Sequence, residues 1–305
     1  MKDLANQPDG FGIAAVERDT GLPKDTLRVW ERRYGFPQPL RDVNGERVYP
    51  AAQVDKLRLI RRLLDQGLRP SRIVAASTEE LAQLLEASPE AAPPAAPAGW
   101  DTLLAFMQQQ DGAALQRALQ QSLLKQGLQR FLADTLTPLT EAVGQAWLRG
   151  ELSVAGEHLY TEQVHNVLRG AIANHGGQGG SPSILLTTFP NELHSLGLLM
   201  AEAMFAPEGA HCTSLGTQTP LADIEHAATH GGIDVVALSF SAAYPARQAV
   251  EGLNTLRARL PASIALWVGG QAVREQRRKL PGIRVIADLH DGIAALAEWR
   301  AAHPA

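Results

Sequence analysis

The 305-residue chain contains a single cysteine, Cys212, and no apolar run near the roughly 18 residues of a membrane-spanning helix. One thiol excludes an intrachain disulfide framework and a cysteine-based zinc site. The opening residues, MKDLANQPDG, lack the apolar core of a secretion signal. A cytoplasmic chain without membrane contact is therefore expected. An excess of positive charge is also missing: 28 Lys and Arg face 32 Asp and Glu, a formal net charge of −4. As an average, that balance argues against a wholly basic nucleic-acid coat. There is no nucleophile elbow, Walker loop or H-E-x-x-H sequence, and no enzymatic activity is expected. What is present is a globular share of apolar residues, 45%, too high for a disordered chain.

The plainest boundary is E-A-S-P-E-A-A-P-P-A-A-P-A-G at 86–99. Ala and Pro with two Glu cannot build a core, and Pro favours an extended spacer. A second boundary is H-G-G-Q-G-G-S-P-S at 175–183, where glycines and a proline stop any helix. The expected pieces are 1–85, a linker over 86–99, 100–178 and 179–305. Charge is unevenly spread over them. Residues 24–72 hold 12 basic and 6 acidic side chains, a net of +6, and the remainder sums to −10.

Residues 100–175 repeat leucines at helical spacing, with breaks near Asp111-Gly112, Gln126-Gly127 and Gly150. That pattern predicts about four helices, as in an up-and-down bundle. Residues 183–303 alternate strand and helix: S-I-L-L-T-T-F, H-C-T-S-L-G, D-V-V-A-L-S-F, S-I-A-L-W-V-G-G and R-V-I-A-D read as strands. Helices are expected around 192–206, 221–230, 245–259, 270–279 and 291–301. Five such units imply an α/β fold with a parallel, doubly wound sheet.

In the first piece, G-I-A-A-V-E-R-D-T-G-L-P-K-D-T-L-R-V-W-E-R-R-Y-G reads as helix, turn, helix. Pro23 near a helix start costs little, because its missing N–H would be unpaired there. Arg28 and Arg32 share a face at i,i+4, suited to a phosphate-lined groove, although either can equally pair with Asp25 or Glu31. Asn44-Gly45 signals a two-residue hairpin turn flanked by Arg41 and by Arg47-Val48-Tyr49. A basic hairpin beside such helices is a wing able to grip phosphates. Val54, Leu57, Ile60 and Leu64 form the apolar stripe of the next helix.

This run resembles the winged helix-turn-helix of the MerR family of transcription regulators. The matching residues are R-V-W-E-R-R-Y-G-F at 28–36, N-G-E-R-V-Y at 44–49 and L-x-x-I-x-x-L-L-x-x-G at 57–67. The resemblance implies a mainly α module that binds double-stranded operator DNA. The contacts are expected from Lys24, Thr26, Arg28, Arg32, Arg33, Tyr34, Arg41, Arg47 and Tyr49. The long dimerisation helix common in that family is missing, so assembly must come from elsewhere.

In the last piece, P-N-E-L-H-S-L-G at 190–197 follows the first strand, where a doubly wound sheet holds its ligand. Glu192 can bond one ring nitrogen of His194 and leave the other for a metal. Gly197 allows the following helix to pack close to a large flat ligand. Ser239-Phe240-Ser241 and Gly269-Gly270 end the third and fourth strands. Together these features resemble the Rossmann-like cobalamin-binding domain, with its D-x-H-x-x-G, S-x-L and G-G pattern. The resemblance implies His194 as the lower ligand to cobalt, with the displaced nucleotide tail passing Ser239, Ser241, Gly269 and Gly270. Glu192 stands for Asp, and Ser241 for Leu.

Trp147 ends one helix of the bundle, Gly150 breaks it, and Glu157-His158 fall in the first turns of the next. Trp147, Glu157 and His158 are expected to converge at one end of the bundle as a lid. The set resembles the W-x9-E-H signature of light-sensing cobalamin regulators of the CarH/LitR type, in which these residues cover the upper face of adenosylcobalamin. Where members of that family carry a histidine after the tryptophan, this chain has Leu148.

The resemblance implies a light-responsive repressor with adenosylcobalamin as chromophore, DNA-bound in the dark as a homo-oligomer, a tetramer by analogy. Methylcobalamin is the alternative cofactor. A light-independent regulator with a degenerate or cobalamin-sensing pocket and a corrinoid methyl carrier are the rival functions.

Overall fold

A computed structural model describes residues 10–43, 45–65, 68–87, 99–173, 180–242 and 244–304. Asn44, most of the 86–99 spacer and the whole glycine-rich 175–179 stretch lie outside them. Among the described residues no helix is long and apolar enough to cross a membrane. The chain forms two compact units, one drawn from 1–95 and 145–154, the other from 96–144 and 155–305.

The first unit begins with β1 (Phe11–Gly12), α1 (Ile13–Thr20) and α2 (Lys24–Tyr34). Gly21 takes a φ of 65°, and its N–H donates to Glu17 O at 2.9 Å, closing α1 in the left-handed turn that glycine tolerates. The wing strands β2 (Leu40–Arg41) and β3 (Arg47–Tyr49) follow, then α3 (Ala51–Asp65), α4 (Pro70–Ile73) and α5 (Thr78–Ala87). β1 adds a third strand beside β3 that the hairpin pattern did not indicate. Leu22, Leu27, Trp30, Tyr49, Val54, Leu57 and Ile60 make the core. Further along α3 the fully buried residue is Leu63, and the expected Leu64 packs at its margin. The helical stripe drifts because 3.6 residues per turn does not match a fixed spacing of four.

The wing turn also differs from expectation. Asp42 N–H donates to Glu46 O and Gly45 N–H to Asp42 O, both at 3.0 Å, with Gly45 at φ 79°. The Asp42–Glu46 pair thus closes a three-residue connection ending on a left-handed glycine, rather than a two-residue turn. Asp42 Oδ1 also accepts from Glu46 N–H at 2.8 Å, a bond that favours this closure.

The helical part comprises α6 (Trp100–Gln108), α7 (Gly112–Gln126), the short α8 (Leu128–Arg130), a π-helical stretch at Phe131–Leu136, α9 (Thr137–Leu148) and α10 (Val154–Ala173). Its four runs break where the sequence indicates. Asp111 caps α7 through Ala114 N–H at 2.9 Å. Thr140 and the buried Tyr160 share a 2.7 Å hydrogen bond between α9 and α10. A Cβ at Gly112 would stand 2.9 Å from Leu159, so this glycine lets α7 and α10 close up.

The α/β part runs β4 (Ser183–Thr187), α11 (Leu196–Phe205), β5 (His211–Gly216), α12 (Leu221–His230), β6 (Val235–Ser239), α13 (Ala246–Arg259), β7 (Ala265–Gly269), β8 (Arg284–Ile286) and α14 (Leu289–Ala302). The sheet is fully parallel, in the order β5-β4-β6-β7-β8. The apolar runs of β4 and β6 are buried on both faces, as central parallel strands must be. The helix expected at 270–279 is replaced by tight turns with one 3₁₀ turn, Arg277–Lys279. In an α-helix Arg274 and Arg278 would stand one turn apart as like charges, and Pro281-Gly282 blocks continuation.

Candidate functional site

The strand order reverses between β4 and β6, so the crevice at their carboxyl ends is the place where such sheets hold ligands. The loop after β4 is pinned there. Thr188 Oγ1 donates to Glu192 O and accepts from Gln218 N–H, both at 2.8 Å. Asn191 turns the chain at φ 70°, a left-handed conformation that Asn tolerates better than most residues.

Glu192 is the buried centre of the site, only 1% exposed. Its Oε1 accepts from His194 N–H at 3.0 Å and lies 2.7 Å from His194 Nδ1. Its Oε2 accepts from Ser241 N–H at 2.8 Å and from Ser241 Oγ at 2.9 Å. Burial alone would raise this carboxyl. The bonds from the His194 ring and amide, the nearby imidazole and the Ser241 amide outweigh that effect and hold it below the usual carboxylate range. An ionised carboxylate only accepts, so Nδ1 must carry the proton. In the neutral ring Nε2 then holds a lone pair. The His194 side chain is 59% exposed, which puts the oriented imidazole at the mouth of the crevice.

Small residues end the neighbouring strands and begin the helix that follows the loop. A Cβ at Gly197 would overlap Ser239 Oγ, so the close approach that this glycine allows joins α11 to β6. Ser239 pairs with Gly269 across the β6–β7 ladder. Gly270 takes a φ of 100° beneath the Phe240 carbonyl, where no side chain fits. Ser241 has a role that the sequence comparison missed. It clamps Glu192, a contact that a separation of 49 positions conceals. An imidazole fixed by a buried carboxylate, beside strand ends lacking bulky side chains, suits the lower face of a cobalt corrinoid.

The upper-face candidates are divided. Glu157 and His158 open α10 in the second unit. Glu157 Oε1 accepts from Thr161 Oγ1 at 2.8 Å, and its Oε2 lies 3.7 Å from His158 Nε2. Trp147 and Leu148 end α9 in the 145–154 segment of the first unit, so the expected trio does not fall within one compact unit. His165, further along α10, lies 3.2 Å from Ser195 Oγ, next to His194. The helical part therefore touches the loop that carries the imidazole.

In the first unit, Lys24, Arg28, Arg32, Arg33 and Arg41 are exposed, and Thr26 and Tyr34 are half-buried. Arg28 pairs with Asp25 at 3.2 Å, one of the two partners foreseen. Arg33 lies over the Tyr34 ring at 5.4 Å, and Arg41 donates to Gly45 O at 2.6 Å. Two expectations change. Arg47 turns to Glu31 of α2, with N–O distances of 3.0 and 3.5 Å, and so ties the wing to the helix. Tyr49, expected on phosphates, is fully buried because its alternate position on β3 faces the core. Val29, beside Arg28 on the same helix, is an exposed large apolar residue, 43% accessible.

Residues 11–80 match the MerR HTH family regulatory proteins, while 100–169 and 182–297 each match a B12 binding domain. The chain is 32% identical to the HTH-type transcriptional repressor CarH of Myxococcus xanthus, over 84% of this chain and 87% of that one. It belongs to the CarH/CarA family of MerR-type regulators. The HTH-type transcriptional repressor CarA of the same organism is 31% identical, over 88% of this chain and 89% of its own. As a CarH/CarA-family member the chain is a cobalamin-binding, DNA-binding regulator. Its fold is shared with the monomethylamine corrinoid protein of Methanosarcina barkeri, with a TM-score of 0.53 at 13% identity, covering 65% of this chain and 96% of that one.

Proposed function

We propose that the chain is a light-responsive transcriptional repressor with adenosylcobalamin as chromophore and His194 as the cobalt ligand. The single observation that carries the reading is the Ser241–Glu192–His194 chain of hydrogen bonds at the sheet's switch point. An alkylcobalamin supplies a cobalt–carbon bond that visible light cleaves. His194 Nε2 would hold the metal, Glu192 would keep the ring in one tautomer, and Ser239, Gly269 and Gly270 would leave room for the nucleotide tail. Trp147, Glu157 and His158 would cover the upper face.

The matching organisation is a winged helix-turn-helix over 1–85, a spacer over 86–99, a four-helix bundle over 100–178 and a Rossmann-like domain over 179–305. In the dark a cytoplasmic tetramer presents several winged helices to operator DNA, and multivalency makes tight binding from weak modules. Illumination dissociates the assembly and frees the DNA. The test is gel filtration and DNA binding of protein loaded with adenosylcobalamin in the dark, before and after green light. A loss of mass and of DNA affinity is expected; no change in either rejects light control.

Leu148 favours a second reading, a regulator that senses cobalamin without responding to light. Its apolar side chain cannot ligate cobalt where family members carry histidine. Equal repression in light and dark, with repression still dependent on cobalamin, selects this reading.

A further inference from the structure

The turns after β7 carry positive charge that neither the corrinoid crevice nor the winged helix uses. From Gly270 to Ile283 the N–H groups of Val273, Gln276 and Lys279 each donate three residues back, at 3.3, 2.9 and 2.8 Å. Val273 and Leu280 are buried in the core, and Asn254 Nδ2 donates to Lys279 O at 3.2 Å. The backbone is therefore firmly seated. Arg274, Arg277, Arg278 and Lys279 are all exposed on it, against the one carboxylate of Glu275.

Other arginines of the α/β part are matched: Arg247 by Glu251, Arg284 by Asp291 and Glu298, Arg259 by Glu225. Arg257 and Arg300 bond backbone carbonyls. None of the four ridge cations is in an ion pair with another described residue, and the Lys279 ammonium donates to the neutral Gln276 Oε1, at 2.9 Å. This is an unneutralised ridge in the part of the chain whose charge is otherwise acidic.

We infer that the ridge is a second, sequence-independent DNA contact, gripping phosphates that flank the site held by the winged helix. The inference rests on the DNA-binding role of the N-terminal unit. Guanidinium groups match phosphate oxygens in pairs. A docking face for protein would need buried apolar or aromatic anchors. The exposed large apolar residues of the second unit, Leu124, Leu193 and Leu215, lie outside the ridge. Phosphate recognition needs no such anchor. Covalent attachment to a DNA-bound unit also raises the ridge's effective concentration at the duplex, so weak contacts count.

The test uses the full-length R274Q/R277Q/R278Q variant and duplexes of random sequence, about 60 and about 20 base pairs long, across a salt series. On the long duplex the slope of log affinity against log salt should fall by roughly one per lost phosphate contact, two to three in all. On the short duplex, sized for one winged helix, variant and wild type should converge. An unchanged slope on the long duplex, with wild-type circular dichroism, overturns the inference. So does an unchanged slope with reduced assembly mass, which would assign the ridge to an acidic face of a second copy. An R28Q/R32Q variant separates the premise: if it binds DNA like wild type, the N-terminal reading fails instead.

Discussion

Glu192 Oε1 stands 2.7 Å from His194 Nδ1, and this one contact decides which ring nitrogen can face a metal. The carboxylate is in turn held by Ser241, so the orientation of the imidazole depends on two distant loops. E192A should therefore lower cobalamin affinity by about 10- to 100-fold, read by spectral titration in the dark. Unchanged affinity would remove Glu192 from the site. S241A keeps the backbone bond and loses only the hydroxyl, so a smaller loss, about tenfold, is expected.

The same carboxylate predicts an acid-sensitive fold. Its pKa is lower in the folded chain than in the unfolded one. Its contribution is complete above the unfolded value, about 4.3, and fades as pH falls through the lower folded value. Between pH 7 and about pH 3.5, wild type should lose more stability than E192Q in urea unfolding. Parallel losses in the two proteins would contradict this.

Gly197 and Ser239 make a steric pair. G197A should destabilise the second unit, because the added methyl overlaps Ser239 Oγ. Replacing that oxygen as well, in G197A/S239A, should recover most of the lost melting temperature. If the double variant melts no higher than G197A, the clash lies elsewhere.

Arginines of the first unit should divide by role. R47A breaks a half-buried pair with Glu31 and should cost about 1 kcal/mol of stability. R32A should change stability by less than about 0.5 kcal/mol but weaken operator binding tenfold or more. Calorimetry and fluorescence anisotropy on the two variants test the division, and it fails if their effects are interchanged.

Cys212 should be inert. Burial, with a contribution from Glu202, pushes its thiol up to about 12. Near pH 8 only about one thiol in ten thousand is then thiolate. Iodoacetamide should label the folded chain far more slowly than the urea-unfolded one, and equal rates would refute the burial.

Much of the fold was legible because local chemistry and tertiary contacts agree. Gly127 and Gly150 break helices by their left-handed backbone, Asp111 starts a new one by its side-chain cap, and the break positions hold in three dimensions. The runs I-L-L and V-V-A-L announce strands buried on both faces. Periodicity misled at 270–279, where buried Val273 and Leu280 satisfy a series of turns as well as they would a helix. The wing turn was misread because the decisive bonds belong to Asp42 and Glu46, outside the Asn-Gly pair that drew notice.

The order of the modules, the uneven charge and the H-x-x-G spacing after the first strand are properties of the linear chain, and they sufficed to place the DNA-binding end and the corrinoid-binding end. Partner choice was decided by folding. Glu31 takes Arg47 across 16 residues, and Glu192 takes Ser241 across 49. Tyr49 goes into the core although its motif suggested the surface. A side chain's periodicity is written locally, but its hydrogen-bond partner depends on which strands and helices become neighbours, and that is settled only when buried polar groups find their matches.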